Sequence, residues 1–102
     1  MTTLPQHRAP THPGEMLLAE FLEPMGMTQS SLAELINVSY PRVNEIVNGK
    51  RAVTPDTALR FAKFTGTTAA FWLNLQQAVD LWDAIHSERA EELKRIEPAQ
   101  VA

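Results

Sequence analysis

Residues 29–48 read QSSLAELINVSYPRVNEIVN, and this spacing leaves few choices of fold. Two short helical patterns flank Asn37-Val38, a break too tight to let the helices separate. Thr28 and Ser39 stand where each helix begins, and hydroxyl side chains there accept an orphan backbone N–H. Met27 with Leu32, and Val38 with Val43, have the spacing of a hydrophobic staple across each start. Pro41 falls in the first turn of the second helix, where its missing N–H costs nothing. Asn37 takes the turn, a place for a positive φ that Asn tolerates better than most residues. Ala33 is small where two crossing helices must touch, and Val38, Val43 and Ile46 form the inward face.

The same signals continue along the chain. A first helix is expected from Pro13 through GEMLLAEFLE, with Met16, Leu17, Ala19, Phe21 and Leu22 as its apolar surface. Pro24 is expected to end it, because proline disfavours helix in the preceding residue, and Gly26 supports a turn. Asn48-Gly49 stops the third helix. Thr54-Pro55 starts a fourth that Gly66 ends. The last helix begins near Thr67 or Thr68, with Phe71, Leu75, Ala78, Val79, Trp82 and Ile85 on one broad stripe and Trp72 at its edge. Leu73 and Leu81 fall outside that stripe, so Leu73, Leu81, Trp82 and Ile85 make up a candidate dimer or partner surface. From Ser87 the chain turns charged and is expected to fray. The expected organisation is a flexible arm over 1–12, one domain over 13–86 and a charged tail over 87–102. With no strand-like alternation and no internal repeat, the fold class is all-α: five helices, the last one long.

At 102 residues the chain suffices for one core. It has no cysteine, hence no disulfide or thiolate site, which fits a reducing cytoplasm. No apolar run approaches the roughly 18 residues of a membrane span, and no signal-peptide pattern opens the sequence. Net charge is −3, an unusual sign for a nucleic-acid binder. Its distribution is more telling. Residues 28–63 hold five cations (Arg42, Lys50, Arg51, Arg60, Lys63) against three anions (Glu34, Glu45, Asp56), a local +2 over the segment that contains the paired helices. So weak a patch implies that two copies, or a partner, are needed for firm binding.

Paired helices of this kind are the DNA-reading helix-turn-helix. On the third helix Ser39, Tyr40, Arg42, Asn44 and Glu45 face outward. Arg42 suits guanine, Asn44 suits adenine, and Tyr40 suits a phosphate or a thymine methyl. Glu45 suits cytosine or a role in holding Arg42. Gln29, at the start of the second helix, can reach a phosphate alongside that helix's free N–H groups. Lys50 and Arg51 follow the third helix and suit the backbone. An αα-hairpin with a merely solvated outer face is the bland alternative. Other chemistry is absent from the pattern. His7, His12 and His86 lack metal-ligand spacing, no Ser/His/Asp grouping surrounds Ser30-Ser31, and there is no glycine-rich phosphate loop. No catalytic residue, metal or cofactor is expected.

The stretches HPGEMLLAEFLEP, EIVNGKRAVTPDTALRFAKFTGT and FWLNLQQAVDLW, together with the helix-turn-helix, cover roughly residues 12–85. In these the sequence resembles the HigA-type antitoxins, also labelled VapI-like, of the Xre-like helix-turn-helix repressor superfamily. The resemblance implies a lambda-repressor-like domain that acts as a dimer on double-stranded operator DNA and represses its own operon. It also implies a HigB-type toxin partner, a RelE-like mRNA endonuclease. Operator contacts carried over by position fall on Gln29, Ser39, Tyr40, Arg42, Asn44, Lys50 and Arg51. Phe71, Trp72 and Leu75 would pack the last helix, while Asn74 and Gln76 would face outward or cap locally. Two other readings stand beside this one: a stand-alone transcription regulator without a toxin, and a pure protein-binding neutraliser with a vestigial helix-turn-helix.

Overall fold

A computed structural model describes residues 8–100. The first helix, α1, covers residues 13–25 in three consecutive pieces: Pro13–Leu17, a π-helical turn Leu18–Leu22, and Glu23–Met25. Then come α2 (Gln29–Ile36), α3 (Tyr40–Val47), α4 (Pro55–Thr65), α5 (Ala69–Ile85) and α6 (Ala90–Leu93). Among the described residues there is no strand. The all-α expectation holds. The sixth helix lies in the tail expected to fray, and none of its residues is buried. Of the arm, residues 1–7, His7 included, lie outside the described residues.

The helix starts follow the side-chain chemistry read from the sequence. Thr28, Ser39, Thr54 and Thr68 each accept a backbone N–H from three residues on, those of Ser31, Arg42, Thr57 and Phe71. Asn37 closes α2 with φ 58°, and the Val38 N–H reaches back to the Ala33 carbonyl at 3.0 Å.

Pro24 corrects the expectation for α1. It does not end the helix, which continues to Met25 and stops at Gly26 in the left-handed conformation. Proline inside an α-helix loses one bond and presses its ring on the carbonyl four residues back. Here the preceding π turn lengthens the ladder, with the Glu23 N–H bonded to the Leu18 carbonyl. The wider turn leaves room for the ring. Ala19, counted on the apolar surface, is exposed.

Leu17, Leu22, Leu32, Val43, Ile46, Phe61 and Trp72 form the centre of the core, each at most 1 % exposed. Helix α2 packs on α3, α4 on α5, and α1 on both α3 and α5. Gly14 sets how closely α1 approaches α3, because a Cβ there would fall onto the Ile46 carbonyl oxygen. The α5 stripe is centred differently from expectation. Trp72, placed at its edge, is wholly buried, whereas Ile85, placed on it, is exposed. Phe61 and Phe71 meet the Trp72 ring edge-on at 5.1 Å, and Phe21 lies 5.7 Å away. Its indole N–H donates to Thr67 Oγ1 at 2.8 Å, so the one polar atom is satisfied. Burying a ring of this size removes about 150–250 Å² from water, worth roughly 4–6 kcal/mol before ordering costs.

Gln76 is the second correction on α5. It is buried, not outward-facing. Its Oε1 accepts the Val53 N–H at 2.8 Å, and its Nε2 donates to Asp80 Oδ1 at 2.9 Å. A loop N–H inside the core needs a partner, and Gln76 supplies it from another helix. Asn74 is exposed, as expected.

Candidate nucleic-acid interface

Helices α2 and α3 hold their outer side chains in one hydrogen-bonded group. Asn44 Nδ2 on α3 donates to Gln29 Oε1 at the start of α2, 3.0 Å away, and to Tyr40 Oη at 3.3 Å. Asn44 Oδ1 accepts from Asn48 Nδ2 at 3.2 Å. Four side chains therefore share a half-exposed polar surface over the two helices. Tyr40 is 48 % exposed, and beneath it Val43 and Ile46 are fully buried, which fixes how the outer face is rolled. Ser39 caps α3 through its Oγ, which accepts the Arg42 N–H at 3.3 Å.

The cations are arranged less openly than their sequence positions suggest. Arg42 is 26 % exposed and pairs with Asp56 at 2.8 Å, in the first turn of α4. The same guanidinium nitrogen donates to Thr57 Oγ1. Asp56 Oδ2 also takes Arg60 Nε at 2.9 Å, and Arg60 Nη1 donates to the Ile36 carbonyl at 2.8 Å. Hydrogen bonds from Arg60 first, then from Arg42, hold the Asp56 carboxyl below its usual range. Glu45, considered as a holder of Arg42, instead pairs with Arg51 at 2.7 Å. Lys50 is exposed and has no ion pair among the described residues.

The sequence-assigned residues thus do not form one cluster, and Ser39 serves as a helix cap. Gln29, Tyr40 and Asn44 are joined directly, with Asn48 as an unforeseen fourth member. Arg42 and Arg51 are each tied to a carboxylate, and Lys50 stands free among the described residues. Asp56 and Thr57 were missed because they lie 14 and 15 residues from Arg42. An apolar groove of about 510 Å³ between α2 and α4 shares Asp56 and Arg60 with this network and holds none of the assigned residues.

His12 is half-buried behind α3. Its Nδ1 accepts the Gly14 N–H at 2.9 Å, capping α1. Burial lowers its pKa from the usual 6.5, against an opposing pull from Asp80, Asp83 and Glu15. His12 therefore has a structural role at the start of α1. On α5, Leu81 and Ile85 are 46 % and 53 % exposed, Trp82 is partly covered, and its ring stacks on His86 at 4.1 Å. Leu73, grouped with them, packs partly against the core. No grouping of three potential metal ligands occurs among the described residues, and no helix there is long and apolar enough to cross a membrane.

Comparison with known proteins places this geometry. The helix-turn-helix family model matches residues 18–72. The HTH-type transcriptional regulator YbaQ of Escherichia coli is 48 % identical over 91 residues, covering 88 % of this chain and 80 % of the relative. Antitoxin HigA-1 of Vibrio cholerae is 44 % identical over 95 residues, covering 93 % of this chain and 89 % of the relative. Among solved structures, the Pseudomonas aeruginosa antitoxin HigA with its higBA promoter superposes with a TM-score of 0.83 at 37 % identity, covering 89 % of this chain and 99 % of that one. This is a family of DNA-binding regulators and antitoxins rather than enzymes. The chain belongs to the helix-turn-helix family, in its HigA-type, VapI-like antitoxin branch of the Xre-like repressors.

Proposed function

We propose that this chain is the antitoxin of a type II toxin–antitoxin module, which as a homodimer binds and represses the operator of its own operon. Helix α3 enters the major groove, where Asn44, Tyr40 and Arg42 meet base edges and Ser39 lies at the phosphate edge. Gln29, Lys50 and Arg51 hold the backbone. The arm over 1–12 and the tail over 87–102 flank the DNA-binding domain over 13–86. A protein that reads an operator works where the DNA is, in the cytoplasm. The observation that carries this reading is the Gln29–Asn44–Tyr40 group on a rigid helix pair, within a fold shared with an antitoxin solved together with promoter DNA.

Dimerisation is supported by charge and surface. The net charge of −3 makes one copy a weak ligand for DNA, and Leu81 and Ile85 leave an apolar face on α5 for a second copy. The second function is neutralisation of a HigB-type mRNA endonuclease toxin, supported by the names of the relatives. Co-expression with the protein of the adjacent reading frame tests it. Joint purification and restored growth of toxin-expressing cells support neutralisation. Growth arrest unrelieved by this chain sinks it and leaves a stand-alone regulator, the second reading, which the regulator-type name of the E. coli relative favours.

A further inference from the structure

We infer that Asp56 is a positioning residue for operator recognition, which holds Arg42 against α4 and so tempers the affinity that Arg42 adds. The inference rests on the operator reading above. Its starting point is that the cation best suited to the major groove is already occupied. Arg42 Nη2 lies 2.8 Å from Asp56 Oδ2 and also donates to Thr57 Oγ1, so its outward fork is folded against α4.

The carboxylate that holds it is divided. Asp56 Oδ2 serves Arg60 Nε at 2.9 Å as well, and Arg60 is anchored independently on the carbonyls of Ile36 and Asn37 at 2.8 and 3.3 Å. Arg60 therefore keeps Asp56 in place whether or not Arg42 remains. Asp56 is 58 % exposed, and a pair so open to solvent is weak enough for a competing acceptor to displace. Two acceptors qualify on DNA: a phosphate oxygen, and the O6/N7 edge of guanine, which a guanidinium takes with two bonds.

This competition sets how much Arg42 adds to binding. On unmatched DNA a single phosphate contact returns no more than the Asp56 pair it would replace, so Arg42 stays on α4 and adds nothing. On matched DNA the two-bond contact exceeds what is lost, and Arg42 moves across. Asp56 thereby costs operator binding the whole of the broken pair, and costs arbitrary sequence at most the phosphate contact forgone. Thr57, buried at 2 % exposure, fixes where the resting Arg42 lies.

The test compares full-length wild type, Asp56→Asn, Arg42→Ala and the double variant, each titrated against the upstream duplex and a scrambled duplex over a range of salt. Asp56→Asn is expected to bind the upstream duplex about three- to tenfold more tightly, and the scrambled duplex by no larger a factor, with a salt slope there steeper by about one. In the Arg42→Ala background these changes are expected to fall to less than half. Equal changes in both backgrounds would show that Asp56 acts only as a nearby negative charge and would overturn the inference, as would unchanged upstream-duplex binding. Asp56→Ala, which removes the whole side chain at an exposed position, gives the same readings should the Asn variant fold poorly. Failure of the wild type to prefer the upstream duplex overturns the operator reading itself, a result distinct from either of these.

Discussion

Asn44 on α3 donates a 3.0 Å hydrogen bond to Gln29 at the first turn of α2. The bond joins the residue expected on a base to the residue expected on a phosphate. It fixes the Asn44 amide plane, since Oδ1 is also held by Asn48 at 3.2 Å. A reading side chain held before DNA arrives has less rotamer entropy to lose on binding. The arrangement ties specificity to docking, because displacing Gln29 also removes one of the bonds that hold Asn44.

The junction behind α3 depends on Gly14. A methyl group there meets the Ile46 carbonyl oxygen, backbone that cannot turn aside. Gly14→Ala is expected to destabilise the fold by about 2–3 kcal/mol or more, the upper part of the range for overpacking. Urea denaturation measures it, and a midpoint equal to wild type would refute the close approach.

Gln76→Leu keeps volume but leaves the Val53 N–H without a partner. A cost of about 1–3 kcal/mol is expected. Amide exchange at Val53 provides a local check, with faster exchange in the variant than global destabilisation alone explains.

Stability should depend on pH through His12. Its cap requires an unprotonated Nδ1, and burial lowers its pKa below 6.5. The unfolded chain therefore takes up this proton first, so stability is full above about pH 6.5 and falls as pH drops toward the lower folded value. In His12→Asn, a cap that does not titrate, the slope between about pH 7 and 5 is expected to be shallower. Equal slopes in thermal melts would contradict this.

Truncation before Trp82 removes Trp82 and Ile85, leaves every assigned DNA contact intact, and so tests the dimer. Operator affinity is expected to fall about tenfold or more with folding retained, as bivalent binding is lost. Binding as tight as the full chain would refute the α5 interface. A twofold dimer also requires α3 helices about 34 Å apart and a palindromic site.

What the sequence disclosed and what it hid divide by distance along the chain. Thr28, Ser39, Thr54 and Thr68 cap their helices through bonds spanning three residues, and Asn37 turns on its own φ. Such rules are local and legible. The Arg42–Asp56 pair, the Gln76–Val53 bond and the Gly14–Ile46 contact join residues 14, 23 and 32 positions apart. Nothing in periodicity marks them, because each follows from how finished helices cross. Trp72, expected at the edge of the α5 stripe, lies at its buried centre for the same reason: a stripe gives a helix's apolar face but not what it lies against. Pro24 failed as a stop because a π turn, invisible to a 3.6-residue period, accommodates it.

The central claim is that α3 reads an operator through Asn44. An anisotropy titration of wild type and Asn44→Ala against the duplex upstream of the chain's own gene, with a scrambled duplex beside it, tests this most directly. Wild type should prefer the upstream duplex. Asn44→Ala should lose about ten- to a hundredfold there, equivalent to roughly 1–3 kcal/mol, with little change on the scrambled duplex. A wild type without preference, or an Asn44→Ala variant that binds the upstream duplex as tightly as wild type, would contradict the account.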